Sequence, residues 1–183
     1  MKHNDLILPY GLKIILGVFI LLLWASTPAM AENQRQAKTI ESHKECPLCG
    51  MYPARYPEFQ CQIIFKDLSY EAFDSPLGLL IYYLFQEEYD PKNREIENIF
   101  FKDYIKNEWI SADDTLFVVG TEIMGPMGID FLPVGNKNDA KQLNALEKGS
   151  VIVSFADINQ AFLLKANQKD WVHHLGGLIL SEK

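Results

Sequence analysis

Two short segments of the chain carry sulfur side chains at spacings that suit metal binding. The first is 46–51, Cys-Pro-Leu-Cys-Gly-Met, and the second is 124–128, Met-Gly-Pro-Met-Gly. Thiolate and thioether groups are soft, polarisable ligands, and together they favour Cu(I) over hard cations such as Mg²⁺ or Ca²⁺. Glycine and proline punctuate both segments, so we expect these sulfur atoms to lie on loops rather than inside helices or strands.

Three of these residues, Cys49, Met51 and Met127, could meet at one ion. A single glycine separates Cys49 from Met51, and alternate residues of an extended chain share a face, so both sulfur atoms can point toward one place. Met127 lies between a proline and a glycine, where its flexible side chain could supply a third ligand. Cys46 and Met124 are candidate additional ligands, although Met124 suits a packing role equally well.

The Cys46–Cys49 spacing, C-x-x-C, also fits a structural disulfide, a redox pair or half of a zinc site. Thioredoxin-type redox pairs place the nucleophilic cysteine at a helix N-terminus, which lowers its pKa. Here Gly50 and Pro53 oppose a helix that begins at Cys46. From the residues alone, copper binding and these structural or redox roles all remain open.

A zinc site at the C-x-x-C pair would need four ligands, so histidines would have to supply the missing ones. His43 and the pair His173-His174 are available, but neither has zinc-finger spacing, and they are most simply surface residues. Covalent c-type haem attachment is excluded, because glycine rather than histidine follows Cys49.

Two further reactive side chains have structural explanations. Cys61 shares a strand face with apolar neighbours such as Phe59 and Ile63, so we predict a buried thiol rather than a ligand. Asp74 stands just before a predicted helix and is explained as helix-entry chemistry. A catalytic metal site would add an acid or base near an open coordination position. Neither sulfur segment has such a group nearby, so we predict a metal carrier rather than an enzyme.

The composition is that of an ordinary globular protein, with 183 residues of which 48% are hydrophobic and 22% charged. The 17 basic and 24 acidic residues give a formal net charge of −7, and the basic residues form no cluster. An acidic chain of this kind is poorly suited to a phosphate backbone, so we expect no nucleic acid partner. Three cysteines are too few for a disulfide framework.

Residues 1–31 have the features of a secretory signal peptide. The continuous apolar run 14–24 is too short to span a bilayer, which needs ~20 apolar residues, and Ala29-Met30-Ala31 supplies a cleavage site. We therefore expect export to the periplasm, with a membrane anchor only if the signal stays uncleaved. No cysteine stands near the cleavage point to carry a lipid, and the polar segment 32–45 is predicted to be a tether.

The elements that position the first sulfur segment follow it in the order strand, strand, helix, strand. Alternating residues predict a half-buried strand over 59–65, and a second strand returns from a turn. Ser75 caps a helix that has proline at its first position and runs to about Tyr89. This helix is apolar almost all round, so it should be largely buried, and a third strand is predicted at 99–101.

The same order recurs around the second sulfur segment. Strands are predicted at 116–119 and 131–134, and the latter should lie near a sheet edge because it contains a proline. Asn136 caps a helix that Gly149 ends, and a strand over 151–155 closes the block.

We therefore predict an α+β protein in which two related ββαβ halves form one compact body after the N-terminal signal peptide. The first half is assigned to residues 46–108 and the second to 109–158. Residues 159–183 form a C-terminal extension, whose apolar residues between 171 and 180 we expect to dock on the body.

Several stretches of the chain resemble the NosL family, the accessory proteins of nitrous oxide reductase. They are CPLCGMYPARYPEFQCQIIFKD, FDSPLGLLIYYL, IFFKDYI, FVVGTEIMGPMGIDFLPV and VIVSFADI, and they span roughly residues 45–158. The resemblance implies a pair of related ββαβ domains that bind one Cu(I) through Cys49, Met51 and Met127. Many members of the family are lipoproteins anchored through an N-terminal cysteine, which this chain lacks at the predicted cleavage point.

The function implied by this resemblance is that of a periplasmic Cu(I) metallochaperone of denitrification, which delivers copper to assembling nitrous oxide reductase. A copper exporter or other envelope copper proteins are further expected partners. Two alternatives stay open: copper delivery to another exported enzyme, such as an oxidase, and an envelope thiol–disulfide oxidoreductase that uses Cys46 and Cys49. Oxidation of Cys46 with Cys49 would also place copper loading under the control of a reductant.

Overall fold

The structure of the protein is a computed structural model that describes residues 36–147 and 150–166. It confirms the predicted α+β class, while the predicted signal peptide, His173-His174 and the apolar residues 171–180 lie outside the described residues. The strands are β1 (Cys61–Phe65), β2 (Tyr70–Phe73), β3 (Ile96–Lys102), β4 (Trp109–Ser111), β5 (Leu116–Val119), β6 (Met124–Gly125), β7 (Gly128–Ile129), β8 (Leu132–Val134) and β9 (Val151–Ser154). The helices are α1 (Pro76–Leu84), α2 (Gln86–Tyr89), α3 (Lys137–Leu146) and α4 (Gln160–Ala166).

The first sheet has the order β2-β1-β3-β4, and every neighbouring pair is antiparallel. Cys61 of β1 is paired with Phe73 on one side and with Phe101 on the other. Aromatic and β-branched residues fill these strands, because such side chains fit a pleated, buried surface. β4 has no counterpart among the predicted strands and extends the sheet beyond β3.

The prediction that β1 is half-buried is wrong, because both of its faces are covered. All five of its residues are buried, including Gln62 at 0% exposure. The Gln62 amide is satisfied by the main chain of Lys38, which donates its N–H to Oε1 and accepts from Nε2, both at 2.9 Å. Part of the predicted tether therefore lies against this strand.

The helix α1 begins at the predicted residue and ends earlier than predicted. The Ser75 hydroxyl accepts the N–H of Gly78 at 3.1 Å, which confirms the predicted cap. The first seven residues of α1 are buried, as its apolar composition predicts. The helix ends at Leu84 rather than near Tyr89, because Phe85 leaves the helical region with a φ of −121° and a ψ of 36°.

The second sheet is built around β5 in the order β8-β5-β9, again with antiparallel neighbours. β8 is an edge strand, as Pro133 predicts, because proline cannot donate a hydrogen bond to a further strand. Asn136 caps α3 by accepting the N–H groups of Asn138 and Asp139, both at 3.0 Å, and the helix ends at Leu146.

The strand–strand–helix–strand order therefore occurs twice. In each copy the first strand is central, and the second and third strands pair with it from either side. β4 pairs with β3 of the first sheet although it follows residue 108. The assignment of 46–108 and 109–158 as separate halves stays a prediction.

The two sheets share one hydrophobic core. The larger cluster of buried side chains includes Ile63, Phe65 and Phe101 from the first sheet, with Phe117 and Val119 from the second. The rings of Phe101 and Phe117 meet edge to face with centroids 5.0 Å apart. Among the described residues, none of the helices has the length and apolar character needed to cross a membrane.

A two-stranded hairpin that is absent from the predicted elements is inserted between β5 and β8. We call residues 124–129 the methionine hairpin; its strands pair Met124 with Ile129 and are joined by the loop Pro126-Met127. Gly128 has a φ of 112°, a conformation open to glycine. Met127 lies in the loop as predicted, whereas Met124 lies in β6, so the expectation that all the sulfur atoms lie outside strands is wrong for Met124.

Candidate metal centre

A tight turn holds the first sulfur segment, and we call residues 46–51 the cysteine turn. The carbonyl of Cys46 accepts the N–H of Gly50 at 2.9 Å, and the N–H of Cys46 donates to the carbonyl of Met51 at 2.7 Å. Gly50 has a φ of 75°, in the left-handed region that favours glycine. In the described part of the chain no helix begins at Cys46, as Gly50 and Pro53 predict.

Leu48 fastens the cysteine turn to the hydrophobic core. Its side chain packs against the larger core cluster and lies beside the first turn of α1, where a methyl group added to Gly78 would be 3.6 Å from Cδ2 of Leu48. Cys46 is only 2% exposed, whereas Cys49 is partly exposed. The turn therefore buries one thiol and leaves the other within reach of solvent.

The thiols of Cys46 and Cys49 and a carboxylate oxygen of Asp74 lie within 4.8 Å of one another. The Cys49 thiol donates to Oδ1 of Asp74 at 3.1 Å. Asp74 is 0% exposed, and its Oδ2 finds no hydrogen-bond partner within the described part of the chain. An unpaired buried carboxylate oxygen is costly, and a cation held among these three groups would supply the missing partner.

The assignment of Asp74 to helix-entry chemistry is wrong. The cap of α1 is Ser75, and the Asp74 side chain faces Cys49 instead. Asp74 follows the last buried residue of β2 and precedes the buried cap residue Ser75, so both of its neighbours in the sequence are buried. No sequence signal identifies Asp74, since lone carboxylates are seldom fully buried.

The two thiols of the cysteine turn differ in acidity. The hydrogen bond to Cys49, together with burial, raises the pKa of the Cys46 thiol far above its ordinary value. The same hydrogen bond lowers the pKa of Cys49, although burial and the neighbouring Asp74 act in the opposite direction. Cys49 is therefore the thiol that more readily becomes a thiolate, which is the form that binds metals and attacks disulfides.

Met51 lies at the end of the cysteine turn and is half-buried. Its main-chain carbonyl closes the turn by accepting from Cys46, so its position along the backbone is set by the turn itself. The hydroxyl of Tyr56 approaches the Met51 sulfur at 4.0 Å.

The methionine hairpin holds its two sulfur side chains in different surroundings. Met127 is half-buried and packs against the larger core cluster, as Cys49 and Leu48 also do. Met124 is 65% exposed. The fold thus directs Met127 toward the body and Met124 toward solvent, and coordination of copper by Met51, Met127 or Met124 stays a prediction.

Asp130 ties the methionine hairpin to the start of α1. Its Oδ1 accepts the N–H groups of Leu77 and Phe131, both at 2.8 Å. A methyl group added to Gly125 would lie 2.8 Å from Oδ2 of Asp130, so the hairpin backbone passes directly over this carboxylate. Because Leu77 is close in sequence to Asp74, the root of the hairpin and the thiol–carboxylate cluster share one end of α1.

The remaining candidate residues have the roles predicted for them. Cys61 is 0% exposed, donates to the carbonyl of Ser75 at 3.3 Å, and has its pKa raised by burial. This confirms the prediction of a buried thiol. The His43 side chain is 80% exposed and lies 3.1 Å from the Glu41 carboxylate, which confirms a surface position.

Comparisons with known proteins point to one family. The sequence model of the NosL family matches residues 37–163. The copper-binding lipoprotein NosL of Stutzerimonas stutzeri is 26% identical over 167 residues, which cover 85% of this chain and 84% of that relative. The crystal structure of the copper chaperone NosL from Shewanella denitrificans is similar, with a TM-score of 0.58 and 26% identity over 69% of this chain and 98% of that one.

Proposed function

The chain belongs to the NosL family, and we propose that it is an exported carrier that binds Cu(I) and delivers it to an assembling copper enzyme. The observation that carries this proposal is the cluster of two thiols and a buried carboxylate within 4.8 Å, of which one thiol is partly exposed. The relatives from Stutzerimonas stutzeri and Shewanella denitrificans are a copper-binding lipoprotein and a copper chaperone, which supports copper as the cargo. We expect the periplasm as the compartment and nitrous oxide reductase as the recipient.

Cys49 is the central ligand of the proposed site. Met51 follows it in the same turn, and we propose Met127 of the methionine hairpin as a third ligand. Its packing against the same core cluster as Cys49 supports this choice. Cys46 and Asp74 lie on the buried side of Cys49 and are further candidates. A cation bound to the Cys49 thiolate offsets the repulsion that the Asp74 carboxylate exerts on it, and sulfur ligands favour the monovalent state of copper.

The partial exposure of Cys49 suits a carrier better than a catalyst. A delivery protein must give up its ion to a partner, and few, soft ligands can be replaced one at a time by incoming donors. A buried cage with four fixed ligands would hold the metal as a structural element. The geometry of the cysteine turn, with one thiol inside and one at the surface, favours stepwise release through Cys49.

A Cu(I) titration against a competing chelator, on the reduced protein without oxygen, tests the site. Cys49→Ser should abolish high-affinity binding, because it removes the exposed thiolate ligand. Cys61→Ala is the matched control, since that thiol is fully buried and does not belong to the group of three ligand atoms. It should bind like the wild type once circular dichroism shows that it is folded. Wild-type affinity in Cys49→Ser would refute the assignment.

The recipient is tested by following copper transfer from the loaded protein. Apo-nitrous oxide reductase should gain copper faster from the loaded protein than from a small-molecule Cu(I) complex at the same free copper concentration. An apo-oxidase assayed in parallel is the control for specificity. Equal rates with both enzymes would contradict nitrous oxide reductase as the dedicated recipient and would favour a general envelope carrier.

A further inference from the structure

The two thiols of the cysteine turn are close enough to react with each other. All three cysteines of the chain are free thiols, and the sulfur atoms of Cys46 and Cys49 lie within 4.8 Å. The hydrogen bond from Gly50 to Cys46 closes a single helical turn around them. Residues three apart on such a turn have Cβ atoms ~5–6 Å apart, and a disulfide needs ~3.5–4.5 Å, so a small backbone adjustment suffices.

Access to the two thiols is unequal. Cys49 is partly exposed, and Cys46 is only 2% exposed, so an external reagent reaches Cys49 first. Cys46 is enclosed by the turn and faces Cys49, which makes an intramolecular reaction its most direct route to oxidation.

We propose that Cys46 and Cys49 form a disulfide-exchange site, in which Cys49 attacks an incoming disulfide, Cys46 resolves the product, and the resulting bond closes the copper site. The exchange itself rests on the thiol geometry alone. The statement that it closes the copper site also rests on the proposed function, because a disulfide sulfur is no longer a thiolate ligand.

The exchange takes place in two steps. The Cys49 thiolate attacks one sulfur of a disulfide R–S–S–R, forms a mixed disulfide and expels one R–S⁻. The Cys46 thiol then loses its proton and attacks the Cys49 sulfur, which forms the Cys46–Cys49 bond and expels the second R–S⁻. Two cysteine thiols are oxidised, one external disulfide is reduced to two thiols, and the two protons from the cysteines end on the leaving groups.

The class of partner follows from the reverse reaction. Oxidising conditions outside the cytoplasm favour the closed form, so loading with copper requires a reductant that regenerates both thiols. A dithiol reductant would attack the more exposed sulfur, that of Cys49, and leave with its own disulfide. A thiol–disulfide exchange reaction must therefore precede copper loading.

Incubation of the purified, reduced protein with glutathione disulfide tests the exchange. The wild type should lose two hydrogens in intact mass and keep one alkylatable thiol after unfolding, that of Cys61. Cys46→Ser should stop at an adduct with one glutathione on Cys49, and Cys49→Ser should stay unmodified because Cys46 is buried. Three free thiols in the treated wild type, or equal reactivity of Cys46 and Cys49 in the two variants, would overturn the proposal.

Copper uptake by the oxidised protein tests the closure of the site. The disulfide form should take up no Cu(I) in the chelator competition, and a phosphine reductant should restore wild-type uptake. Undiminished Cu(I) uptake by the disulfide form would contradict the closure of the copper site. A Cys46–Cys49 disulfide that no glutathione redox buffer can reduce would be a permanent structural bond, and this result would overturn the proposed exchange. If the reduced wild type binds no Cu(I), the proposed function fails while the mass result still decides the exchange.

Discussion

The cysteine turn and the methionine hairpin carry the same class of candidate ligand, a sulfur side chain, and the fold holds them by different means. The cysteine turn is closed by two backbone hydrogen bonds of its own, is anchored in the core by Leu48, and has Cys49 hydrogen-bonded to a buried carboxylate. The methionine hairpin has two residues in each strand and is attached at its root through Asp130. The cysteine turn therefore has a hydrogen bond at its candidate ligand Cys49, whereas the hydrogen bonds of Asp130 attach the methionine hairpin at its root.

We expect this difference to matter for the proposed carrier function. In the proposed site, the Cys49 thiolate, held in a fixed turn, would be the strongest attachment of the ion until a ligand of the partner displaces it. A thioether carries no charge, so we expect Met127 to give up the ion more readily than the Cys49 thiolate does. The cysteine turn should therefore dominate affinity, and the methionine hairpin should contribute a weaker, exchangeable ligand.

Apart from the loss expected in Cys49→Ser, the largest effect is expected at Asp74, the carboxylate that serves the cysteine turn. Asp74→Asn keeps the shape of the side chain but removes the charge next to Cys49, and outer partners of metal ligands are worth ~10–100-fold in affinity. We therefore expect Cu(I) affinity to fall by about that factor in chelator competition. Asp130→Asn is the matched control, because Asp130 is also buried and also has an unpaired Oδ2 within the described residues, but it serves the hairpin. Equal losses in both variants would show that the two regions hold copper alike.

A smaller effect is expected at the tip of the methionine hairpin. Met127→Ala removes a half-buried thioether, and we expect Cu(I) affinity to fall by about tenfold, which corresponds to ~1.4 kcal/mol. Met124→Ala removes an exposed thioether in the same hairpin and should leave the affinity close to that of the wild type. Met51→Ala should also weaken binding, with the fold intact. A larger loss of affinity in Met124→Ala than in Met127→Ala would identify Met124 as the ligand instead. Unchanged affinity in both Met51→Ala and Met127→Ala would refute the proposed thioether ligands.

The smallest effect on copper affinity is expected at the hairpin root, where a substitution should change the stability of the protein instead. Burial raises the pKa of Asp130 to about 6, so the native state favours the protonated carboxyl more than the unfolded state does. The contribution of Asp130 is therefore present at pH 4 and below, and it is lost as the pH rises through 6. Asp130→Asn should remove this decline and raise the free energy of unfolding at pH 7 by up to about 3 kcal/mol.

Urea unfolding of both proteins between pH 4 and pH 7 measures this difference. A parallel pH profile in the wild type and in Asp130→Asn would show that Asp130 does not titrate in this range. This substitution should not change the cysteine turn, so we expect Asp130→Asn to bind Cu(I) with the affinity of the wild type.

The sequence predicts the start of a helix or the position of an edge strand correctly where residues close in the sequence determine it. Ser75 and Asn136 cap their helices because each satisfies backbone N–H groups only a few residues away. Pro133 marks an edge strand for an equally local reason, the lack of an N–H. The prediction of a half-buried strand is wrong for Gln62, whose burial depends on the main chain of Lys38, far along the sequence.

The residues of the candidate site also fall into those that local sequence identifies and those that only tertiary packing reveals. The residue types and spacing of the C-x-x-C pair are enough to mark Cys46 and Cys49 as metal or redox residues. Asp74 cannot be recognised by spacing, because its contact with Cys49 is made only after the cysteine turn packs against α1. The methionine hairpin also escapes prediction, since strands of two residues leave no periodic pattern.

The amino-acid sequence alone predicts the chemical nature of the candidate ligands, the tight turn at Gly50 and the capped helix that follows, because each depends on residues within one or two turns of the chain. The packing of distant segments establishes which thiol is buried, which methionine faces the body and which carboxylate meets Cys49. These outcomes depend on how the larger core cluster, Leu48 included, fills its space. Packing energies of that kind are summed over many non-local contacts, and no short sequence pattern contains them.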